Sequence, residues 1–338
     1  MAAKSFSVPP SGVWAPAVTL FDPATDKLLL DDQARYYAYL ASTGLAGLVI
    51  LGTNAETFLL TRTERRQLLE TARKAVGPTF PIMAGVSGHS TAQVLEFIED
   101  AHAAGANYAL VLPPAYFGAK ASPPAMVNRF YDDVAAATQL PLVLYNFPAV
   151  CNGVDLDSDA IAHLARRHPG VVVGTKLTCG SVAKVTRLAA ELPRDRFAVF
   201  AGQADFLLGA LAVGGAGCIA AFANVFPKTT VRIYDQWVRG NAGSAAGVSD
   251  TRTAEVREAD RAAALELHRT AALAERPCKN GIATTKYAAA VFTAGPPAGI
   301  ADAETKLQPR RPYLAPTDAE KARCRELMAA AAAIEAAL

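Results

Sequence analysis

Strand-length apolar runs alternate with segments of helical periodicity eight times along this chain, and that alternation restricts the fold more than any other feature. The runs read as strands over 13–20, 47–51, 81–85, 108–112, 142–145, 171–176, 197–201 and 217–221. The segments between them read as helices over 31–42, 61–76, 91–104, 122–138, 157–168, 181–192, 204–213 and 227–239. Each run is bounded by turn residues and is followed by a helix, as expected of parallel strands covered by crossover helices. Local signals agree. Thr61 with Glu64 three residues on is a capping-box pattern, and Asp31 and Asp32 open a helix where its dipole favours negative charge. Eight βα units in about 230 residues match a (β/α)8 TIM barrel, whereas a doubly wound open sheet usually needs fewer units.

Beyond residue 240 the pattern becomes helical. A Gly-, Ala- and Ser-rich loop over 240–250 precedes helices over 254–275, 278–292 and 317–336, with a Pro-rich stretch over 296–316 between the last two. The expected organisation is therefore a leader (1–12), an α/β barrel carrying the chemistry (13–240) and a C-terminal helical extension packed on the barrel (241–338).

Composition narrows the function. Apolar residues make up 51% of the chain and charged residues 19%, a globular balance. A net charge of +2 supplies no field for nucleic acid or an anionic membrane. No apolar run reaches the ~20 residues of a membrane span. Five scattered cysteines, without a CxxC pair, point to a reducing compartment and not to a disulfide framework. The five histidines, His89, His102, His163, His168 and His268, lack ligand spacing, so no metal is expected. The N-terminal residues lack the apolar stretch of a signal peptide and are poor in arginine, which makes the cytoplasm the expected location.

In a parallel barrel the chemistry sits at the C-terminal ends of the strands. Two neighbouring runs end there on polar groups, the hydroxyl of Tyr145 and the amine of Lys176. A lysine attacks a ketone as its neutral amine, which burial favours, and the resulting imine acts as an electron sink. The alternative is a lysine whose stem snorkels from a strand end into water. A tyrosine on the adjacent strand can shuttle the protons that imine formation requires, although a core tyrosine with its hydroxyl at the rim fits as well. The turn Gly52-Thr53-Asn54-Ala55-Glu56 offers N–H groups and a hydroxyl to a carboxylate, with Gly52 allowing close backbone approach; a generic βα turn would read the same way. Cys179 has no histidine placed to activate it and reads as packing. Gly214-Gly215-Ala216-Gly217 precedes a strand, which excludes a dinucleotide loop.

Together, Tyr145-Asn146-Phe147-Pro148, Gly174-Thr175-Lys176, the 52–56 turn and Pro113-Pro114-Ala115-Tyr116 resemble the dihydrodipicolinate synthase / N-acetylneuraminate lyase family, over roughly 13–292. The fungal branch, with its 2-keto-3-deoxy-L-galactonate (L-threo-3-deoxy-hexulosonate) aldolases, is the most similar. The resemblance implies a class I aldolase on a barrel, assembled as a homotetramer of two dimers, with no cofactor beyond a covalent lysine imine. It implies that Lys176 binds pyruvate or the 2-oxo acid, that Tyr145 is the general acid/base and that Thr53 links Tyr145 to a relay. Thr53 and Asn54, with Gly52, would hold the pyruvate carboxylate. Ile219 would line the pocket through its carbonyl, and Gly202 would line it too. Tyr116 would reach across a dimer interface.

Two departures qualify this. The segment after the Tyr-Asn-Phe-Pro motif is Ala149-Val150-Cys151, without the arginine that clamps a charged aldehyde in dihydrodipicolinate synthases. Asn54 stands where a second Thr or Ser is usual. The expected reaction is cleavage of a 2-keto-3-deoxy sugar acid to pyruvate and an aldehyde such as glyceraldehyde. The alternatives are a 4-hydroxy-2-oxoglutarate aldolase, a dihydrodipicolinate synthase-like condensation, a 2-keto acid dehydratase, a metal-dependent aldolase and a catalytically silent ligand-binding paralogue.

Overall fold

A computed structural model describes residues 6–242 and 252–338. The first five residues of the expected leader, and 243–250 of the expected loop, lie outside the described residues. Eight parallel strands close into a barrel in sequence order: β1 (Gly12–Pro16), β2 (Gly47–Ile50), β3 (Ile82–Gly85), β4 (Tyr108–Val111), β5 (Leu142–Asn146), β6 (Val172–Leu177), β7 (Ala198–Ala201) and β8 (Gly217–Ile219). The helices after them are α1 (Leu30–Ala41), α2 (Arg62–Val76), α3 (Thr91–Ala103), α4 (Pro124–Ala137), α5 (Ser158–Arg167), α6 (Val182–Glu191), α7 (Leu207–Ala212) and α8 (Pro227–Asn241). The chain is thus a (β/α)8 TIM barrel, as the alternation predicts. The helix starts follow the capping signals: Thr61 Oγ1 accepts from Glu64 N at the head of α2, and the Glu64 carboxylate accepts from Thr61 N at 2.8 Å.

The barrel interior is filled, not hollow. Trp14 is fully buried, with its ring edge-to-face against Tyr108 and Phe200 at centroid separations of 6.1 and 6.3 Å. A Cβ on Gly47 would lie 2.2 Å from the Trp14 ring, so glycine is what admits the indole. The N-terminal segment seals the lower mouth. Trp14 Nε1 donates to Pro10 O, and the Tyr108 hydroxyl donates to Val8 O.

At two elements of the barrel an end lies three residues or more inside the expected one. The first strand was expected over 13–20 but ends at Pro16. Past it, Val18 N donates to Asn224 Oδ1, while the Gln33 amide accepts from Leu20 N and donates to Val18 O; buried side chains replace the strand ladder. The helix expected over 204–213 begins only at Leu207; before it, the N–H groups of Ala204 and Asp205 donate to the Glu275 carboxylate at 2.8 and 2.7 Å.

The C-terminal segment is α9 (Ala254–Ala274), α10 (Arg276–Lys279), α11 (Ile282–Ala289), α12 (Ala303–Lys306) and α13 (Asp318–Ala336). The helix expected over 278–292 is broken at Gly281, whose φ of +125° suits glycine, and α11 runs on through a π turn, Ala290–Ala294. α12 lies in the stretch expected to be only Pro-rich loop. Glu335 of α13 accepts from Lys228 N and Thr229 N, satisfying donors left over at the start of α8. Among the described residues no helix is long and apolar enough to cross a membrane.

Candidate active site

Parallel pairing of β5 with β6 sets Tyr145 directly beside Lys176. Strand alternation sends their neighbours the other way: Thr175 Oγ1 donates to Leu144 O, and the Asn146 amide holds the loop beyond β5 through Asp155 Oδ1 and Leu156 N. Lys176 and Tyr145 are 2% and 3% exposed. Lys176 Nζ donates to Tyr145 Oη at 3.2 Å and lies 4.3 Å from the centre of its ring. Across the barrel mouth, Thr53 Oγ1 is 3.3 Å from the same Tyr145 oxygen. Amine, phenol and hydroxyl therefore form one hydrogen-bonded line spanning β6, β5 and the turn after β2.

That turn is shaped by strain the sequence did not reveal. Leu51 has a left-handed φ of +67°, and Glu56 has one of +57°. Leu51 can adopt this kink because its carbonyl enters space that a side chain at position 85 would fill: a Cβ on Gly85 would lie 1.9 Å from Leu51 O. Gly52, expected to allow close backbone approach, has an ordinary φ of −73°, and a Cβ there would meet only normal contacts within the chain. Thr53–Ala55 is one turn of 3-10 helix. Its leading N–H groups, on Thr53 and Asn54, find no acceptor among the described residues.

The other expected residues separate into two groups. Ile219 is buried in β8 opposite Trp14, and Gly202 follows β7, donating its N–H to Leu177 O. A Cβ on Gly202 would come within 2.1 Å of Thr178 Oγ1, a buried hydroxyl without a partner among the described residues. Tyr116 is not brought to the lysine within this chain. It is 70% exposed, with its ring against His89 and Phe117, and His89 in turn stacks on Phe58. No arginine stands in the loop after β5; Lys184 pairs there with Asp155 and donates to Leu156 O.

Sequence reasoning missed the groups by which the C-terminal helices grip the barrel mouth. Lys286 of α11 is fully buried and donates to the Glu56 carboxylate at 2.6 Å; burial pulls its pKa down to about 8. Arg310 N donates to the other Glu56 oxygen, and the Arg310 guanidinium holds Asp26, Glu64 and Leu59 O. At β7, Glu275 is supported by His268, which bonds Ala204 O, and by Lys279, which pairs with Asp205. Burial pushes the Glu275 carboxyl up to about 7. The one available signal was Lys286 itself, a charge standing directly before an apolar run through Phe292. No group of three or more His, Cys, Asp or Glu side chains suited to a metal occurs among the described residues.

The barrel, together with the family and the relatives that it matches, defines an enzyme of the aldolase type, a carbon–carbon lyase. Residues 9–263 match the dihydrodipicolinate synthetase family, and the chain belongs to it. A Coccidioides immitis protein, provisionally named a mitochondrial 4-hydroxy-2-oxoglutarate aldolase, is 62% identical over 331 residues, covering 98% of each chain. The L-threo-3-deoxy-hexylosonate aldolase of Aspergillus niger is 36% identical over 255 residues, covering 68% of this chain and 76% of that one. A crystal structure of a Coccidioides immitis protein provisionally assigned to the dihydrodipicolinate synthase family superposes with a TM-score of 0.87, at 59% identity and 99% coverage of both chains.

Proposed function

We propose that the chain is a class I aldolase that cleaves a 4-hydroxy-2-oxo acid to pyruvate and an aldehyde through an imine on Lys176. The observation that carries this reading is the line from Lys176 Nζ through Tyr145 Oη to Thr53 Oγ1. The amine adds to the C2 carbonyl, and Tyr145 supplies the proton with which the carbinolamine loses water. Tyr145, deprotonated by that step, takes the proton from the C4 hydroxyl. The C3–C4 bond breaks, its electron pair enters the iminium to give an enamine, and the aldehyde leaves. Protonation at C3 and hydrolysis free pyruvate and the lysine. The N–H groups of Thr53 and Asn54 hold the C1 carboxylate, and burial of the lysine and tyrosine keeps competing water out. No metal or other cofactor takes part in these steps.

For the aldehyde half, identity across nearly the whole of both chains with the Coccidioides protein favours 4-hydroxy-2-oxoglutarate, which yields glyoxylate. A 2-keto-3-deoxy sugar acid, yielding an uncharged aldehyde such as glyceraldehyde, is the second reading. It is favoured by the loop after β5, where Ala149-Val150-Cys151 supplies no cation for a second carboxylate. Assaying pyruvate release from both substrates separates them. Borohydride reduction in the presence of pyruvate, followed by peptide mass spectrometry, tests the chemistry. The expected product is a pyruvate-derived adduct on the Lys176 peptide, absent together with all turnover in Lys176→Ala. A Lys176→Ala enzyme that still cleaves either substrate would refute the mechanism.

A homotetramer, two dimers joined, accords with the exposed rings of Phe58, Tyr116 and Phe117, which a second copy would cover; light scattering of the full chain tests it. The Coccidioides relative's name places that protein in mitochondria, and fractionation of cells distinguishes that compartment from the cytoplasm for this chain.

A further inference from the structure

The 52–56 turn carries both the hydroxyl that meets Tyr145 and the N–H groups assigned to the substrate carboxylate, yet its last residue is an acid buried to 5% exposure. Glu56 has a left-handed backbone and lies between two 3-10 turns, Thr53–Ala55 and Thr57–Leu59. Its own N–H closes the first turn by donating to Thr53 O at 3.0 Å. Both carboxylate oxygens are held from the far end of the chain, Oε2 by Lys286 Nζ at 2.6 Å and Oε1 by Arg310 N at 2.7 Å. The Arg310 guanidinium then fixes the exit of the same loop through Leu59 O and Glu64. Thr19 Oγ1, donating to Ala55 O, fixes the middle.

A fully desolvated ion pair is a weak source of stability, because apolar side chains of the same volume do as well or better, while removing one partner strands a buried charge. Here the pair lies in the turn that must receive an anion. An unneutralised Glu56 three residues from Thr53 would repel a carboxylate and, seeking water, would draw the turn out of line. We propose that Glu56 and Lys286 are positioning residues: through their ion pair, helix α11 of the C-terminal segment holds the Thr53–Asn54 turn in register with Tyr145 and sets the affinity for the 2-oxo acid. This rests on the imine reading above.

The test compares the full-length wild type with Lys286→Met, Glu56→Gln and the double variant Glu56→Gln/Lys286→Met. Three quantities are measured: the pyruvate concentration giving half-maximal borohydride trapping at Lys176, the urea midpoint, and kcat against KM for cleavage. Lys286→Met is expected to raise half-saturation at least 10-fold, with KM rising by a similar factor and kcat falling as Thr53 loses its place beside Tyr145. The double variant removes both charges, so its urea midpoint is expected to return towards wild type while its half-saturation stays several-fold high. A purely structural pair would move the midpoints alone. The double variant therefore decides the matter even if Lys286→Met fails to fold, and wild-type half-saturation in it would overturn the proposal. A wild type that forms no pyruvate adduct would overturn the imine reading and this inference together, whereas a labelled wild type with unshifted variants overturns only the positioning role.

Discussion

Tyr145 is the residue on which the proposed proton traffic converges, since it touches both the amine and Thr53. Tyr145→Phe keeps the ring and its packing against Phe147 but removes the only oxygen that joins the two. We expect kcat to fall by about 10²–10⁴, the usual contribution of a positioned acid/base, with folding unchanged by circular dichroism. A variant within a few-fold of wild type would mean that another group moves these protons. Lys176 and Tyr145 were legible in the sequence because a polar residue closing an apolar strand has only one place to go in a parallel barrel, the catalytic end. The place of Tyr116 was not legible. It lies on a loop, where the chain direction is decided by packing and not by strand periodicity.

At the scale of single elements, what the sequence revealed were endpoints written in local chemistry. The Thr61/Glu64 capping box is one, because its partners lie three residues apart and need nothing else to form. Thr61→Ala removes the side-chain acceptor for Glu64 N and is expected to lower stability by about 1 kcal/mol in urea denaturation, with kcat unaffected. No loss of stability would show that Arg310, which also holds Glu64, keeps the helix start in place by itself. The endpoints read too long were those closed by distant side chains. β1 stops where Asn224 and Gln33 take over its backbone, and α7 starts only past the two N–H groups that donate to Glu275, seventy residues away. No window of sequence around residues 17–20 or 204–205 contains those partners.

At the scale of the whole molecule, the C-terminal helices grip the barrel mouth at β2 through Lys286 and at β7 through Glu275, and we propose that they and the barrel unfold as one unit. Glu275 gives this a pH signature. Its ordinary pKa of 4.5 is raised to about 7 in the fold, so the folded state keeps a proton that the unfolded chain releases. The stability this contributes is fully present below pH 4.5 and is lost as the pH rises to about 7. Relative to Glu275→Gln, wild-type stability in urea should therefore fall by about 3 kcal/mol at most across that window and stay level above it. A difference independent of pH would refute the assignment. The sequence by itself determined the eightfold βα alternation, the capped start of α2, and a lysine and tyrosine on adjacent strand ends, because each depends on periodicity or on neighbours a few residues apart. Only the tertiary structure decided the strained turn at Leu51 and Glu56, the span of Thr53 across the barrel to Tyr145, and the hold of Lys286 on that turn. Those contacts join residues tens to hundreds of positions apart, and closing the barrel is what brings them within a hydrogen bond.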